Sequence, residues 1–281
     1  MKIDAILYAY KSKSLKLVVD TLLENTSSQI RLYVFDQNPI KRSEMFMDSR
    51  IVYEHLFWDA IQSPNEKRGD IIDKSDADYI LHISDDCLVS PAWDEKLIDF
   101  IGRKQIVVSG KGNVKLFKKD HFSIGASWEY LSDFSMTNYI DRNFIFSTNE
   151  VWNSIVYPYY LKYNGEEEML SLDFFRSGKD IYCSTKETYK DLGHRVLERS
   201  YVPFSIDHNY NKVVETLTST SSDLDQGFQR TRDDFLSFHN MLPLDIVELP
   251  YQTNDVGYNP YGLTFQDIDA RKFIANTKAI Y

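Results

Sequence analysis

Ala77-Asp78-Tyr79-Ile80-Leu81-His82-Ile83-Ser84-Asp85-Asp86-Cys87 is the stretch on which the fold turns. Tyr79, Leu81 and Ile83 alternate along one side of it and two acids follow at once, which predicts a strand ending in carboxylates. In open α/β sheets, ligands collect at the carboxyl ends of the strands. Two adjacent carboxylates there repel each other unless water, a cation or a metal compensates. Oxygen ligands of this kind suit Mg2+ or Mn2+, which often bridge protein to the phosphates of a substrate. The same window also fits a solvated turn, since Asp is common just past a strand. Its neighbours have to separate the two.

Upstream, residues 3–10 predict a buried strand, Leu15, Val18, Val19, Leu22 and Leu23 recur at helical spacing, and 30–36 predicts a second strand. Residues 51–58 predict a third. Strand, helix, strand with short connections is the opening of a parallel doubly wound sheet. Asp36 closes the second strand and so falls on the same sheet edge as Asp85 and Asp86. An acid there commonly accepts hydrogen bonds from a ribose or a base, and equally often caps a turn. Residues 64–74 predict a helix carrying Arg68 near its start, with Ile71 and Ile72 inward. A guanidinium beside a helix N-terminus adds a bidentate phosphate donor, although a single arginine is more commonly a surface residue.

Downstream, Ser90-Pro91-Ala92-Trp93-Asp94-Glu95 predicts a helix start, with Ser90 as cap, Pro91 in the first turn and the two acids complementing the dipole. Trp93, Leu97, Ile98 and Ile101 form its inner face. Residues 105–109, 141–147 and 180–184 predict strands, and 111–119 a basic loop. Asn164-Gly165-Glu166-Glu167-Glu168 opens another helix, with Met169, Leu172 and Phe175 on one face and Arg176 and Gly178 as its stop. Dipole complementation explains acids in a first turn, at about 0.3–1 kcal/mol each. Three together exceed that need, and one of them is a candidate base or acceptor for substrate hydroxyls. Further helices are expected over 222–242 and 268–275.

The 281 residues suffice for one large domain or a domain with an appended lobe. A hydrophobic content of 43% with 14% aromatics excludes a disordered chain. The net charge of -10 argues against non-specific nucleic-acid binding as the main activity. Two cysteines, Cys87 and Cys183, make neither a disulfide framework nor a metal-type spacing. No signal peptide and no run of about 20 apolar residues is legible, so a cytoplasmic setting with no membrane partner is expected.

The assembled pattern resembles the GT-A nucleotide-sugar glycosyltransferases. It is most similar to the N-acetylglucosaminyltransferase-type family, which includes cytoplasmic enzymes modifying hydroxyproline on proteins. The resemblance rests on an ordered set: Arg68, Tyr79-Ile80-Leu81-His82-Ile83, Ser84-Asp85-Asp86, Trp93-Asp94-Glu95-Lys96-Leu97-Ile98, Phe144-Ile145-Phe146, Tyr157-Pro158-Tyr159, Gly165-Glu166-Glu167 and Gly178-Lys179-Asp180-Ile181-Tyr182. It covers roughly residues 1 to 210. It implies a Rossmann-like mixed α/β sheet flanked by helices over 1–210, with a mostly helical extension over 211–281.

It also implies transfer of a sugar from a nucleotide-diphosphate donor, a UDP-sugar above others, to a hydroxyl on a protein or glycan. Asp36, Arg68, Ser84 and Asp85 would hold the donor. Mn2+ or Mg2+ would sit on Asp86 and a later histidine, His194 or else His208. Glu166 and Glu167 would handle the acceptor, with Glu167 as base if the reaction inverts; if it retains, as the resembled family implies, no base assignment follows. Ser84 stands where the family has its first acid. Two alternatives remain open: transfer to hydroxymethylated DNA bases, with Lys104, Lys111, Lys115, Lys118 and Lys119 following phosphates, and a nucleotide-sugar-binding module without turnover.

Overall fold

The computed structural model describes residues 1–10, 12–56, 64–110, 112–120, 123–130, 133–137, 139–159, 166–184, 188–192, 216, 227–231 and 234–235. The first half follows the predicted order: β1 (Lys2–Tyr10), α1 (Leu15–Asn25), β2 (Gln29–Gln37), β3 (Ile51–Leu56), α2 (Pro64–Lys74) and β4 (Tyr79–Ser84). A short strand β5 (Cys87–Val89) precedes α3 (Trp93–Ile101) and β6 (Ile106–Ser109). Then come β7 (Gly112–Asp120), β8 (Ser123–Tyr130), β9 (Met136–Thr137), β10 (Phe144–Thr148), α4 (Asn149–Trp152), α5 (Glu166–Arg176), β11 (Asp180–Cys183) and β12 (Tyr189–Asp191).

Eight strands form one mixed sheet in the order β3-β2-β1-β4-β10-β6-β11-β9. β3, β2, β1 and β4 run parallel, and β10 enters antiparallel against β4, with Phe144 beside Ile83. The sheet is buried on both faces, so β1 reads as a continuous apolar run, and alternation divides its residues between two cores. Ile3, Ala5, Leu7 and Ala9 join Leu81, Ile83, Phe144 and Phe146 under α1 and α3. Ile6, Tyr8, Ile80 and Ile145 join Trp152, Leu170 and Phe174 on the face covered by α2, α4 and α5. Trp93 is fully buried with its ring edge-on to Phe144 and Phe146, a burial worth about 1.5–3 kcal/mol or more for so large a side chain.

Several local expectations are corrected. The stretch 111–119 is no loop from residue 112 on: it is β7, paired antiparallel with β8 from Gly112 beside Tyr130 to Asp120 beside Ser123. The helix expected from Ser90 begins at Trp93, because Ala92 takes a left-handed conformation (φ 54) with no side-chain cap. Asp94 is fully buried, and it accepts the backbone N–H groups of Ser27 and Ser28 at 3.0 and 2.8 Å, tying α3 to the end of α1. The strand expected from residue 141 begins at Phe144. The helices expected over 222–242 and 268–275, and the core boundary at residue 210, lie outside the described residues, apart from 227–231 and 234–235. There, the backbone N–H groups of Gln229 and Arg230 reach the Arg176 carbonyl, and Phe235 packs edge-on near Phe175. No helix among the described residues is long and apolar enough to cross a membrane.

Candidate active site

The parallel strands β1, β2 and β4 all finish at one edge of the sheet, and the antiparallel start of β10 returns to that edge. β6 and β11 end there too, with Cys183 beside Ser109. Asp36, Ser84, Asp85 and Asp86 fall on this edge, and Arg68, Glu166 and Glu167 fall in the first two turns of α2 and α5.

Asp36, at the end of β2, is fully buried. Its two oxygens take a bidentate ion pair from Arg42 (2.6 and 2.9 Å) and the Tyr53 hydroxyl at 2.9 Å. Its carboxylate therefore pins the 38–50 connection down rather than standing open. Arg42 passes the link on through Nη1 to the Ser12 carbonyl at 2.7 Å, and the Ser12 and Ser14 hydroxyls donate to the Asp85 carbonyl. The ends of β1, β2 and β4 are thus one hydrogen-bonded unit.

At the end of β4, the Ser84 hydroxyl donates to Asp86 Oδ1 at 2.5 Å. Asp85 and Asp86 are both buried, so the solvated turn that the sequence left open is not what forms. β5 then pairs antiparallel with β12, which sets Asp191 beside Cys87, and the Leu192 N–H closes onto the Asp86 carbonyl at 2.8 Å. The ligand atoms of Asp86, Cys87 and Asp191 lie within 4.8 Å of one another. One carboxylate from the β4–β5 turn and one from β12 are oxygen donors of the kind that Mg2+ and Mn2+ take. The Cys87 thiol, buried in the apolar core beside them, is the softer atom of the three. His194 and His208 lie outside the described residues.

Arg68 and Glu166 come together. Arg68 Nη1 meets both carboxylate oxygens of Glu166 at 3.1 and 3.0 Å, and the Tyr157 hydroxyl donates to the same carboxylate at 2.5 Å. This buried pair joins α2 to the start of α5. Burial and the neighbouring Glu166 carboxylate push the Tyr157 phenol well above its usual range, so it stays a donor.

Glu167 is different. Its side chain is 28% exposed, the Arg142 backbone N–H reaches it at 3.4 Å, and the Arg142 guanidinium stands 4.0 Å away. Burial raises its carboxyl to about 7 against the lowering effect of Arg142. The next residue, Asn143, receives the Ser84 N–H at its carbonyl at 2.9 Å. Two consecutive residues therefore connect the Glu167 carboxyl with the Ser84-Asp85-Asp86 turn.

Sequence reasoning missed Asp191, which stands alone in Lys190-Asp191-Leu192 and gains meaning only when β12 pairs with β5 about 100 positions earlier. It also missed Arg42, whose signal was the unusually long connection after Asp36.

No protein-family model matches the chain, and no curated protein matches it in sequence. Solved structures do match. S. aureus TarS aligns with 12% identity and a TM-score of 0.54 over 85% of this chain and 43% of TarS. TarS 1–349 aligns with 11% identity and a TM-score of 0.55 over 89% of this chain and 70% of that one. GalNAc-T7, solved with UDP, GalNAc and Mn2+, aligns with 10% identity and a TM-score of 0.57 over 89% of this chain and 56% of its own. The chain spans less than half of full TarS and little more than half of GalNAc-T7. At such identities the likeness is one of fold: a GT-A-like α/β architecture with a central mixed sheet flanked by helices.

Proposed function

We propose that this chain is a divalent-cation-dependent glycosyltransferase that moves a sugar from a nucleoside diphosphate donor, a UDP-sugar in the first instance, to a hydroxyl on a protein or glycan. The observation that carries the reading is the Asp86–Asp191 carboxylate pair just past the end of β4, linked through Arg142 and Asn143 to the Glu167 carboxyl, which burial pushes up to about 7. A cation site and a base poised near pH 7 are the two things this transfer needs.

In this scheme Asp86 and Asp191 would hold Mn2+ or Mg2+, with His194, or else His208, as the third ligand. The cation supplies offsetting charge for the leaving diphosphate. Ser84 fixes the Asp86 carboxylate through its short hydrogen bond. Asp36 acts one step back, by pinning Arg42 and the 38–50 connection as a wall of the nucleoside site, while Ser84 and Asp85 face the donor. Arg68 supplies a fixed positive charge to the donor side, and Glu166 holds Arg68 in place. Glu167 takes the proton of the acceptor hydroxyl as its oxygen bonds to the sugar's anomeric carbon and the bond from that carbon to the diphosphate oxygen breaks. Attack from the face opposite the leaving group inverts the anomeric configuration. Glu167, rather than Glu166, suits this role because its carboxyl is not committed to a buried arginine.

A donor panel with Mn2+ or Mg2+ tests the reading, scored by nucleoside diphosphate release against peptide, glycan and hydroxymethylated DNA acceptors. Release with one donor, with inverted product stereochemistry, is expected. Near-normal transfer by both Asp86→Ala and Glu167→Gln would remove this site assignment, and donor binding without turnover on any acceptor would point to a binding module instead.

A further inference from the structure

The face of the sheet under α2 and α5 carries a buried polar group that neither the packing nor the proposed chemistry uses. His82 is 1% exposed, and neither of its ring nitrogens has a hydrogen-bond partner among the described residues. A neutral imidazole offers one donor and one acceptor, and burying both unpaired is costly. A phenylalanine would fill the same place without that cost.

Register fixes where the ring points. His82 lies beside Ile6 of β1 and Ile145 of β10. Ile6, Tyr8, Ile80 and Ile145 belong to the core under α2 and α5, and strand alternation puts His82 on that face. Tyr8, beside Ser84, is the next residue along, and the Arg68 guanidinium lies over its ring, 5.8 Å from the centroid. Arg68 is therefore packed over this part of the sheet. Its Nη1 is taken by Asn65 and Glu166, but its buried Nε has no partner among the described residues. One orphaned atom is a donor and the other group offers an acceptor.

Among the described residues, the charges that act on His82 are Arg68 from α2 and Arg142 before β10; Arg68 is in turn paired with Glu166 from α5 and lies over the Tyr8 ring. Burial first, then the charges of Arg68 and Arg142, hold the imidazole well below its usual basicity. It is neutral at pH 7, with one nitrogen free to accept.

We propose that His82 is a positioning residue for Arg68: its unprotonated nitrogen takes the Arg68 Nε–H through one buried water and so fixes the plane of the guanidinium beside the donor's diphosphate. The planar guanidinium makes this effective, since fixing one edge fixes the direction of the others. The inference rests on the glycosyltransferase reading for what Arg68 grips, but not for the contact itself.

Two measurements test it. The first needs no nucleotide: the imidazole nitrogen spectrum of His82 at neutral pH in wild type and in Arg68→Met. A single neutral tautomer in wild type and a mixture in the variant is expected; identical spectra overturn the contact. The second is UDP binding with Mn2+, by calorimetry, alongside thermal melting. His82→Phe should melt at or above wild type yet bind UDP about threefold to tenfold more weakly. In turnover the KM for donor should rise with kcat nearly unchanged. His82→Gln, whose carboxamide oxygen can accept, should recover most of the binding. Wild-type binding by His82→Phe, or equal losses in both variants, overturns the proposal. If wild type itself binds no nucleoside diphosphate, the glycosyltransferase reading fails and the nitrogen spectrum alone decides the contact.

Discussion

Glu167 has opposite consequences for activity and stability. A carboxyl raised to about 7 holds its proton in the folded chain where the unfolded chain has already lost it. The folded state thus binds more protons between about pH 4.5 and 7, so stability falls as pH rises through that window and stays lowered above it. Glu167→Gln removes the term. It is expected to stabilise the protein at pH 8 by about 1–2 kcal/mol, less than the full shift because part of the side chain meets water, and to do nothing at pH 4. Urea titrations at both pH values check this. The same substitution should lower kcat about 10²–10⁴-fold, and the wild-type rate should climb with pH to a plateau above about 7. Asp86 and Asp191 make a different prediction. If they share one cation, Mn2+ should raise the melting temperature of wild type in a concentration-dependent way and leave Asp86→Asn and Asp191→Asn unmoved. A shift retained by Asp191→Asn would take that residue out of the site.

At the scale of elements, what was legible in the sequence was what local periodicity encodes. The sequence predicts α2 at residues 64–74 and β1, β2 and β11 to within a residue or two, because apolar spacing and turn residues agree there. The failures share a cause. Ala92, Asp94 and Trp93 look like a capped helix start, but long-range bonds to the end of α1 set the geometry, with Trp93 Nε1 donating to Thr26. β7 hid its alternation because Val114-Lys115-Leu116 is cut short by Phe117 and the Lys118-Lys119 pair, and its turn has none of the Asn-Gly or Asp-Gly chemistry of tight hairpins. β12 is three residues long and exists only through β5. The stop of α5, by contrast, was legible and is testable. Gly178 has φ +75, its N–H reaches the Phe175 carbonyl, and the Lys179 N–H reaches that of Phe174, a left-handed helix end. A Cβ there would also collide with the Gln229 side chain. Gly178→Ala is therefore expected to destabilise by about 1 kcal/mol or more, read as a lower urea midpoint at an unchanged slope.

For the whole molecule, the sheet order explains why the candidate residues were legible before their geometry was. Chain order scatters Asp36, Arg68, Asp86, Glu167 and Asp191 over 156 positions, yet β2, β3 and β4 end on one edge of the sheet, β10 starts there, and β12 is held to β5 just past the end of β4. The overall charge bears on which of the proposed acceptors the chain can approach. A net charge of -10 repels polyanions at distances a single basic hairpin cannot offset, and Lys104 is already held against the Phe100 carbonyl and ring. In the proposed scheme a nucleoside diphosphate would escape this, because a cation and Arg68 would meet its charge locally. Transfer to neutral glycan or peptide hydroxyls should therefore change less than about twofold between about 50 and 200 mM salt, since no phosphate contacts with the acceptor are lost. Hydroxymethylated duplex DNA should be the poorer acceptor, and raising salt should not reveal tight binding. Efficient DNA transfer that collapses across the same salt range would mean that β7 and β8 form a phosphate-tracking surface strong enough to overcome the charge of the whole chain, and the acceptor would have to be reassigned.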